Sequence, residues 1–237
     1  MKIIRYDSID STNKAAIALT EQGEREGTAV VAGMQTAGRG RMGRMWISCP
    51  GNLFVSYIIN GKTVKENPEL SFLVGITVAE SIENLVPQIK CRCKWPNDIM
   101  LNDCKTCGIL IEAAAGGCVV AGIGVNLNSH PEDTPYPTTS VRESTGKQIS
   151  PDEMCERLSE NLLKNLALWR DSGFAKIRDK WLSYAYRIKE NITVKQFDKT
   201  YTGIFKTISE NGELIIENEK DHKENKISVG DVIYEKR

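Results

Sequence analysis

The chain has 237 residues, enough to bury a substantial core and to hold one large unit beside a small one. Lys plus Arg and Asp plus Glu both number 31, so no overall field favours nucleic acid or an anionic membrane surface, and 41% apolar with 26% charged content is that of an ordinary globular protein. No apolar run reaches the length of a membrane span and residues 1–10 lack the apolar centre of a signal peptide, so the sequence reads as cytoplasmic.

A short strand over residues 3–6 precedes Asp10-Ser11-Thr12-Asn13 and an alanine-rich helix over 14–22. Such residues suit a helix N-cap, because their side-chain oxygens accept from the first free amides. Capping needs only one of them, and four polar residues at that donor-rich end also suit a binding site. Residues 28–35 form a buried strand that delivers the chain to Gly38-Arg39-Gly40-Arg41-Met42-Gly43-Arg44-Met45-Trp46, and residues 52–59 form the strand that leaves it.

Three arginines in this stretch exclude a buried strand, since each cation would be costly in an apolar core. It is a mobile cationic loop, in which glycine lets the backbone approach a ligand and arginine offers planar forks of donors to carboxylate or phosphate. The Gly-x-Gly-x-x-Gly spacing matches the dinucleotide fingerprint. That fingerprint opens a helix with small residues, whereas here Trp46, Pro50 and a strand follow. The plain alternative is an arginine-rich surface turn without a ligand.

Leu70, Leu73, Ile76, Ala79, Ile82 and Leu85 recur at intervals of three and predict a largely buried helix over 70–86. A strand over 91–95 is halted by Pro96, and Asn97-Asp98 begins a turn. Strands over 99–101, 107–113 and 118–125 must pair antiparallel, with a polar hairpin turn at Asn102-Asp103. Lys105 therefore sits where a hairpin turn enters a central strand. Glu112, inside that strand, is either on a solvated face or paired with a cation.

Cys91-x-Cys93 and Cys104-x-x-Cys107 raise the question of zinc, but His130 and His222 lack the partner spacing of a structural site. Seven scattered cysteines suit a reducing compartment, and Cys91 and Cys93 alternate as core residues of a strand would. Residues 122–128 end their strand with two glycines and two asparagines, which reads equally as a strand breaking into a loop or as part of a site.

After a loop-rich stretch over 130–146, Ser150-Pro151-Asp152-Glu153 is a capping box with proline at the first helical position. Its helix runs through Trp169 and stops near Gly173, and Phe174, Ile177, Trp181 and Tyr184 mark the next. Past residue 187 short strands predominate, over 193–196, 201–207, 213–217, 226–229 and 232–234, with an Asn211-Gly212 hairpin turn. The expected class is α+β: a mixed, mostly antiparallel central sheet with flanking helices over residues 1–187, then a small β-barrel over 188–237.

No serine or cysteine nucleophile has a plausible histidine partner, and there is no Gly-x-x-x-x-Gly-Lys-Ser/Thr cradle, so a hydrolytic triad and a P-loop are both excluded. What remains is a cationic pocket suited to joining two anions. A carboxylate attacking phosphorus needs no general base, and its obstacle is charge repulsion, which fixed cations remove.

Ser11-Thr12-Asn13, Gly38-Arg39-Gly40-Arg41-x-Gly43-Arg44-x-Trp46, Lys94-Trp95-Pro96-Asn97-Asp98, Lys105-x-x-Gly108-Ile109-Leu110-x-Glu112 and Gly122-x-Gly124-x-Asn126 occur in the order found in the biotin protein ligases, which the chain resembles from Asp7 to its C-terminus. The resemblance implies a class II aminoacyl-tRNA synthetase-like, biotin–lipoate ligase fold with a C-terminal SH3-like barrel. It implies biotinyl-5′-adenylate formation from biotin and ATP, then transfer to a lysine of a biotin carboxyl carrier protein, with Mg2+ accompanying ATP and no prosthetic group. Ser11, Thr12, Asn13 and Gln35 match positions that hold the biotin ureido head, and Gly38, Arg39, Gly40 and Arg41 match the loop that folds over biotin and the adenylate. Lys105 matches the catalytic lysine, with Arg39 and Arg41 as further catalytic cations and Gly108 beside biotin. Arg41, Arg44, Trp46, Asn97, Lys105 and Asn126 match nucleotide-binding positions, and Asp98 the magnesium region.

Many relatives carry an N-terminal DNA-binding domain, whereas here the ligase motifs start almost at Met1, so operator binding is not expected. Relatives often dimerise through an exposed sheet edge, which leaves a homodimer open. Two rival readings are a lipoate or octanoate ligase or transferase of the same fold and a catalytically silent biotin-binding regulator.

Overall fold

The computed structural model describes residues 1–61 and 67–233. Its larger unit is a seven-stranded sheet in the order β1-β2-β3-β7-β6-β5-β4. The strands are β1 (Lys2–Ile9), β2 (Thr28–Gln35), β3 (Leu53–Asn60), β4 (Arg92–Lys94), β5 (Asp98–Leu101), β6 (Cys104–Ala113) and β7 (Cys118–Val125). β1 runs parallel to β2 because helix α1 (Thr12–Glu21) carries the chain back between them, and the other pairs are antiparallel.

Alternation along β3 assigns the two faces. Leu53, Val55, Tyr57 and Ile59 join the main core, packed under helices α2 (Asn67–Leu85) and α4 (Pro151–Tyr184), where Phe72 meets Trp181 edge to face at 5.0 Å. Ile58 faces the other way, joining Ala16 of α1 with Val30 and Val120. Cys91 and Cys93 are in the main core, as their alternation predicts, and Cys107 packs there too, with burial pushing each thiol up.

Ser150 caps α4 by accepting from the Glu153 amide at 3.1 Å, and Gly173 breaks the helix at φ 71° and ψ −176°, where the sequence places a stop. Between β7 and α4 a short helix α3 (Val141–Thr145), capped by Ser140, interrupts what the sequence presents as loop. Five residues offer too little periodicity to reveal it.

The smaller unit is an antiparallel five-stranded sheet in the order β11-β10-β9-β8-β12, formed by β8 (Asn191–Gln196), β9 (Lys199–Ile208), β10 (Leu214–Glu217), β11 (Glu224–Ile227) and β12 (Asp231–Val232). The expected end of its last strand, Tyr234, lies outside the described residues. The turn at Asn211-Gly212 is wider than a two-residue hairpin, because Ser209 Oγ accepts from the amides of both Asn211 and Glu213. Trp95 Nε1 donates to the Gly212 carbonyl at 3.2 Å and so ties this unit to the turn between β4 and β5. No helix among the described residues is long and apolar enough to cross a membrane.

Candidate active site

The α1 side of the sheet carries a cleft whose floor includes three glycines of neighbouring strands, Gly108, Gly122 and Gly124. Asp98, Gly108 and Gly124 are adjacent across β5, β6 and β7, and Leu110, Gly122 and Ser56 across β6, β7 and β3. The missing side chains make room from above. A Cβ at Gly124 would come 2.5 Å from the Trp46 ring and one at Gly108 2.7 Å, while a Cβ at Gly122 would meet Asn13 Oδ1 at 2.1 Å. Trp46 and Asn13 therefore rest directly on the sheet backbone. Gly122 and Gly124 of the asparagine-glycine strand end thus line the cleft.

One end of the cleft is a polar cluster at the start of α1. Gln35 Oε1 accepts from the Thr12 amide at 2.9 Å and from Thr12 Oγ1 at 3.0 Å. The hydroxyl of Ser56, wholly buried on β3, lies 2.8 Å from Thr12 Oγ1 and 2.6 Å from Asn13 Oδ1. Asn13 Nδ2 donates at 2.7 Å to Glu112, which also receives Arg39 at 2.7 Å, so the open question about Glu112 resolves to pairing.

The other end is cationic. Lys105 Nζ lies 2.7 Å from Asp98 Oδ1, and the two side chains are only 12% and 15% exposed. Burial is the largest single influence and pulls the Lys105 ammonium down, but the Asp98 carboxylate, with Tyr136 and Cys107 adding to it, holds the group above its ordinary range. A bulge brings Lys105 here. Ile99 pairs with Cys107 but Met100 pairs with Lys105, so Thr106 is an extra residue on β6. In an unbroken strand Lys105 would share the core face of Cys107; with Thr106 inserted it joins Gly108 on the cleft face.

Arg41 Nη1 donates to Asn97 Oδ1 at 3.0 Å and stands 3.6 Å from Asp231 on β12, while burial lowers its guanidinium pKa. Arg44 Nη2 lies 3.0 and 2.8 Å from the two Asp231 oxygens. The arginine loop thus spans from the polar cluster to the small barrel.

Residues 6–128 match the Biotin/lipoate A/B protein ligase family, and residues 188–234 match the Biotin protein ligase C terminal domain. The chain belongs to the biotin/lipoate A/B protein ligase family. It is 35% identical over 225 residues to the bifunctional ligase/repressor BirA of Bacillus subtilis, covering 91% of this chain and 69% of that protein. It is 34% identical over 218 residues to the biotin–[acetyl-CoA-carboxylase] ligase of Paracoccus denitrificans, covering 87% and 90%. The biotin protein ligase of Aquifex aeolicus in complex with biotin and ATP superposes with a TM-score of 0.86 at 29% identity, covering 98% and 97%.

Within this biotin/lipoate ligase chain, Ser11, Thr12, Asn13, Gln35, Arg39, Gly40, Arg41, Arg44, Trp46, Asn97, Asp98, Lys105 and Gly108 all line one cleft. Two expected residues do not. Gly38 is buried at the loop base, where its carbonyl accepts from the Trp46 amide at 2.9 Å and a Cβ would come 2.6 Å from the Trp46 carbonyl oxygen. Asn126 lines a second, adjoining cleft with Trp46, Lys105 and Tyr136, and its buried Oδ1 has no hydrogen-bond partner among the described residues.

Ser56, Tyr136 and Asp231 join the site without a motif to announce them. Ser56 could have been found as a polar residue in the middle of an apolar strand, whereas the other two depend on how distant segments dock. Among the described residues no group of three or more His, Cys, Asp or Glu is placed to hold a metal. Magnesium delivered with a nucleotide takes one or two carboxylates and draws its remaining ligands from phosphates and water, so Asp98 on the cleft floor fits that need.

Proposed function

We propose that this chain couples biotin to ATP, releasing pyrophosphate and forming biotinyl-5′-AMP, and then transfers the biotinyl group to a lysine of a biotin carboxyl carrier protein. The observation that carries the proposal is the continuity of the cleft, with a polar cluster at Thr12, Asn13 and Gln35 and the Lys105 cation on one wall. A cyclic urea needs donors and acceptors, which Ser11, Thr12, Asn13 and Gln35 supply; the dithiolane of lipoate or the alkyl end of octanoate offers this polar cluster no hydrogen bond in return for the water it displaces.

Arg39, Arg41 and Lys105 then surround the carboxylate and α-phosphate and offset the repulsion between them, with Gly38 and Gly40 shaping the loop and Gly108 letting Trp46 lie against the sheet beside biotin. Arg44, Trp46, Asn97 and Asn126 serve the nucleotide, and Asp98 would hold the magnesium that neutralises phosphate charge. Residues 1–187 form the catalytic unit and 188–237 the barrel that braces its loop. Pyrophosphate release measured with biotin, lipoate and octanoate in parallel tests the assignment. Release with biotin alone is expected; equal or greater release with lipoate or octanoate would transfer the assignment to the rival ligases.

A further inference from the structure

The Lys105 ammonium is enclosed by more than its carboxylate partner. It lies 5.6 Å from the centroid of the Trp46 ring and 5.2 Å from that of Tyr136. Tyr136 stands between Pro135 and Pro137, in a segment zipped to the lysine's own backbone: the Lys105 amide donates to the Pro137 carbonyl at 2.9 Å and the Thr139 amide to the Lys105 carbonyl at 3.0 Å. The same segment is anchored behind, where His130 Nδ1 lies 3.1 Å from Thr138 Oγ1 and His130 Nε2 2.9 Å from Glu143. Two prolines, two backbone bonds and a side-chain anchor fix the backbone that carries the ring. Tyr136 also lines both clefts, which meet at Lys105.

We infer that Tyr136 is a positioning residue for the adenylation step, its ring face holding the Lys105 ammonium on the line between carboxylate and phosphate. The inference rests on the ligase function proposed above. In the free protein Asp98 competes for this ammonium at 2.7 Å. When substrates arrive the cation must turn toward two new anions while remaining desolvated, and an aromatic face attracts a cation without forming a directional bond that would hold it back. Trp46 belongs to the arginine loop, whereas Tyr136 lies in the segment bonded to the backbone of the lysine itself.

The test is single-turnover adenylate formation by the full chain, with wild type as the reference for the ligase function itself. Tyr136→Leu is expected to lower the rate of adenylate formation about tenfold, with the KM for biotin within about twofold of wild type. Tyr136→Phe keeps the face and should restore the rate to within about threefold. Phenylalanines with increasing numbers of ring fluorines at position 136 should then slow the step progressively, because fluorine drains the ring face without changing its shape. Wild-type rates in Tyr136→Leu, a loss in Tyr136→Phe equal to that in Tyr136→Leu, or a flat fluorine series would each overturn the inference. A wild-type chain that forms no adenylate would instead overturn the ligase assignment.

Discussion

Arg44, in the loop after β2, is held by Asp231, 187 residues later in the chain, at 2.8 Å. The same carboxylate stands 3.6 Å from Arg41, and the carbonyl of its neighbour Gly230 accepts from Arg41 Nη2 at 3.5 Å. One acidic side chain of the small barrel thereby contacts two of the three arginines of the loop.

The Arg44 and Asp231 side chains are 48% and 40% exposed, so their pair stabilises by roughly 1 kcal/mol or less. Asp231→Asn should leave the thermal midpoint almost unchanged and raise the KM for ATP by up to about fivefold, with a smaller change for biotin. Steady-state kinetics with each substrate varied in turn would show it, and an unaltered KM for ATP would remove the bracing role.

Gly124→Ala places a methyl group about where the Trp46 indole lies, at 2.5 Å from the nearest ring atom. Overpacking of this kind costs about 1–3 kcal/mol, and the indole can relieve it by leaving the sheet. The KM for ATP should rise about tenfold or more while biotin binding without nucleotide changes little. Calorimetric titration of each ligand separates the two, and parallel losses of both would contradict Trp46 as a nucleotide wall.

Burial pulls the Lys94 ammonium down to about 7, with Asp98 and Asp231 opposing that and Lys105 adding to it. In an unfolded chain lysine titrates near about 10.4. Between these values the unfolded state binds the extra proton, so this group makes stability rise with pH across the window, by at most about 1.4 kcal/mol per pH unit, and its penalty is present in full below it. Urea midpoints should climb from about pH 7 to about pH 9.5 more steeply in wild type than in Lys94→Met. Identical slopes would show that Lys94 stays charged throughout.

Local signals carried much of the architecture. β2 and β7 occupy the predicted residues because apolar runs and their breakers mark both ends, and the α4 cap and the Gly173 break follow from single residues with one physical use. The loop and the polar turn at α1 were legible for the same reason, since their composition is unsuited to a core. The face on which Lys105 lies was not, because a bulge at Thr106 is a register difference with β5 that only pairing reveals. Asp231 and Tyr136 were equally hidden, as each reaches the cleft through docking of a segment with no periodicity of its own.

Lys105→Ala removes the cation nearest the proposed reacting atoms and leaves Asp98 without its 2.7 Å partner. Loss of a preorganised charge of this kind typically costs about 3 kcal/mol or more, so adenylate formation should fall at least about a hundredfold with the fold retained by circular dichroism. Near-normal turnover would refute the role of Lys105.

The most direct test combines purified chain, ATP, magnesium, radiolabelled biotin and a biotin carboxyl carrier domain in one tube, with the carrier recovered after denaturation. The account predicts covalent label on the carrier's acceptor lysine that depends on ATP. A carrier left unlabelled, while the chain itself retains biotin, would contradict it and identify a binding protein without turnover.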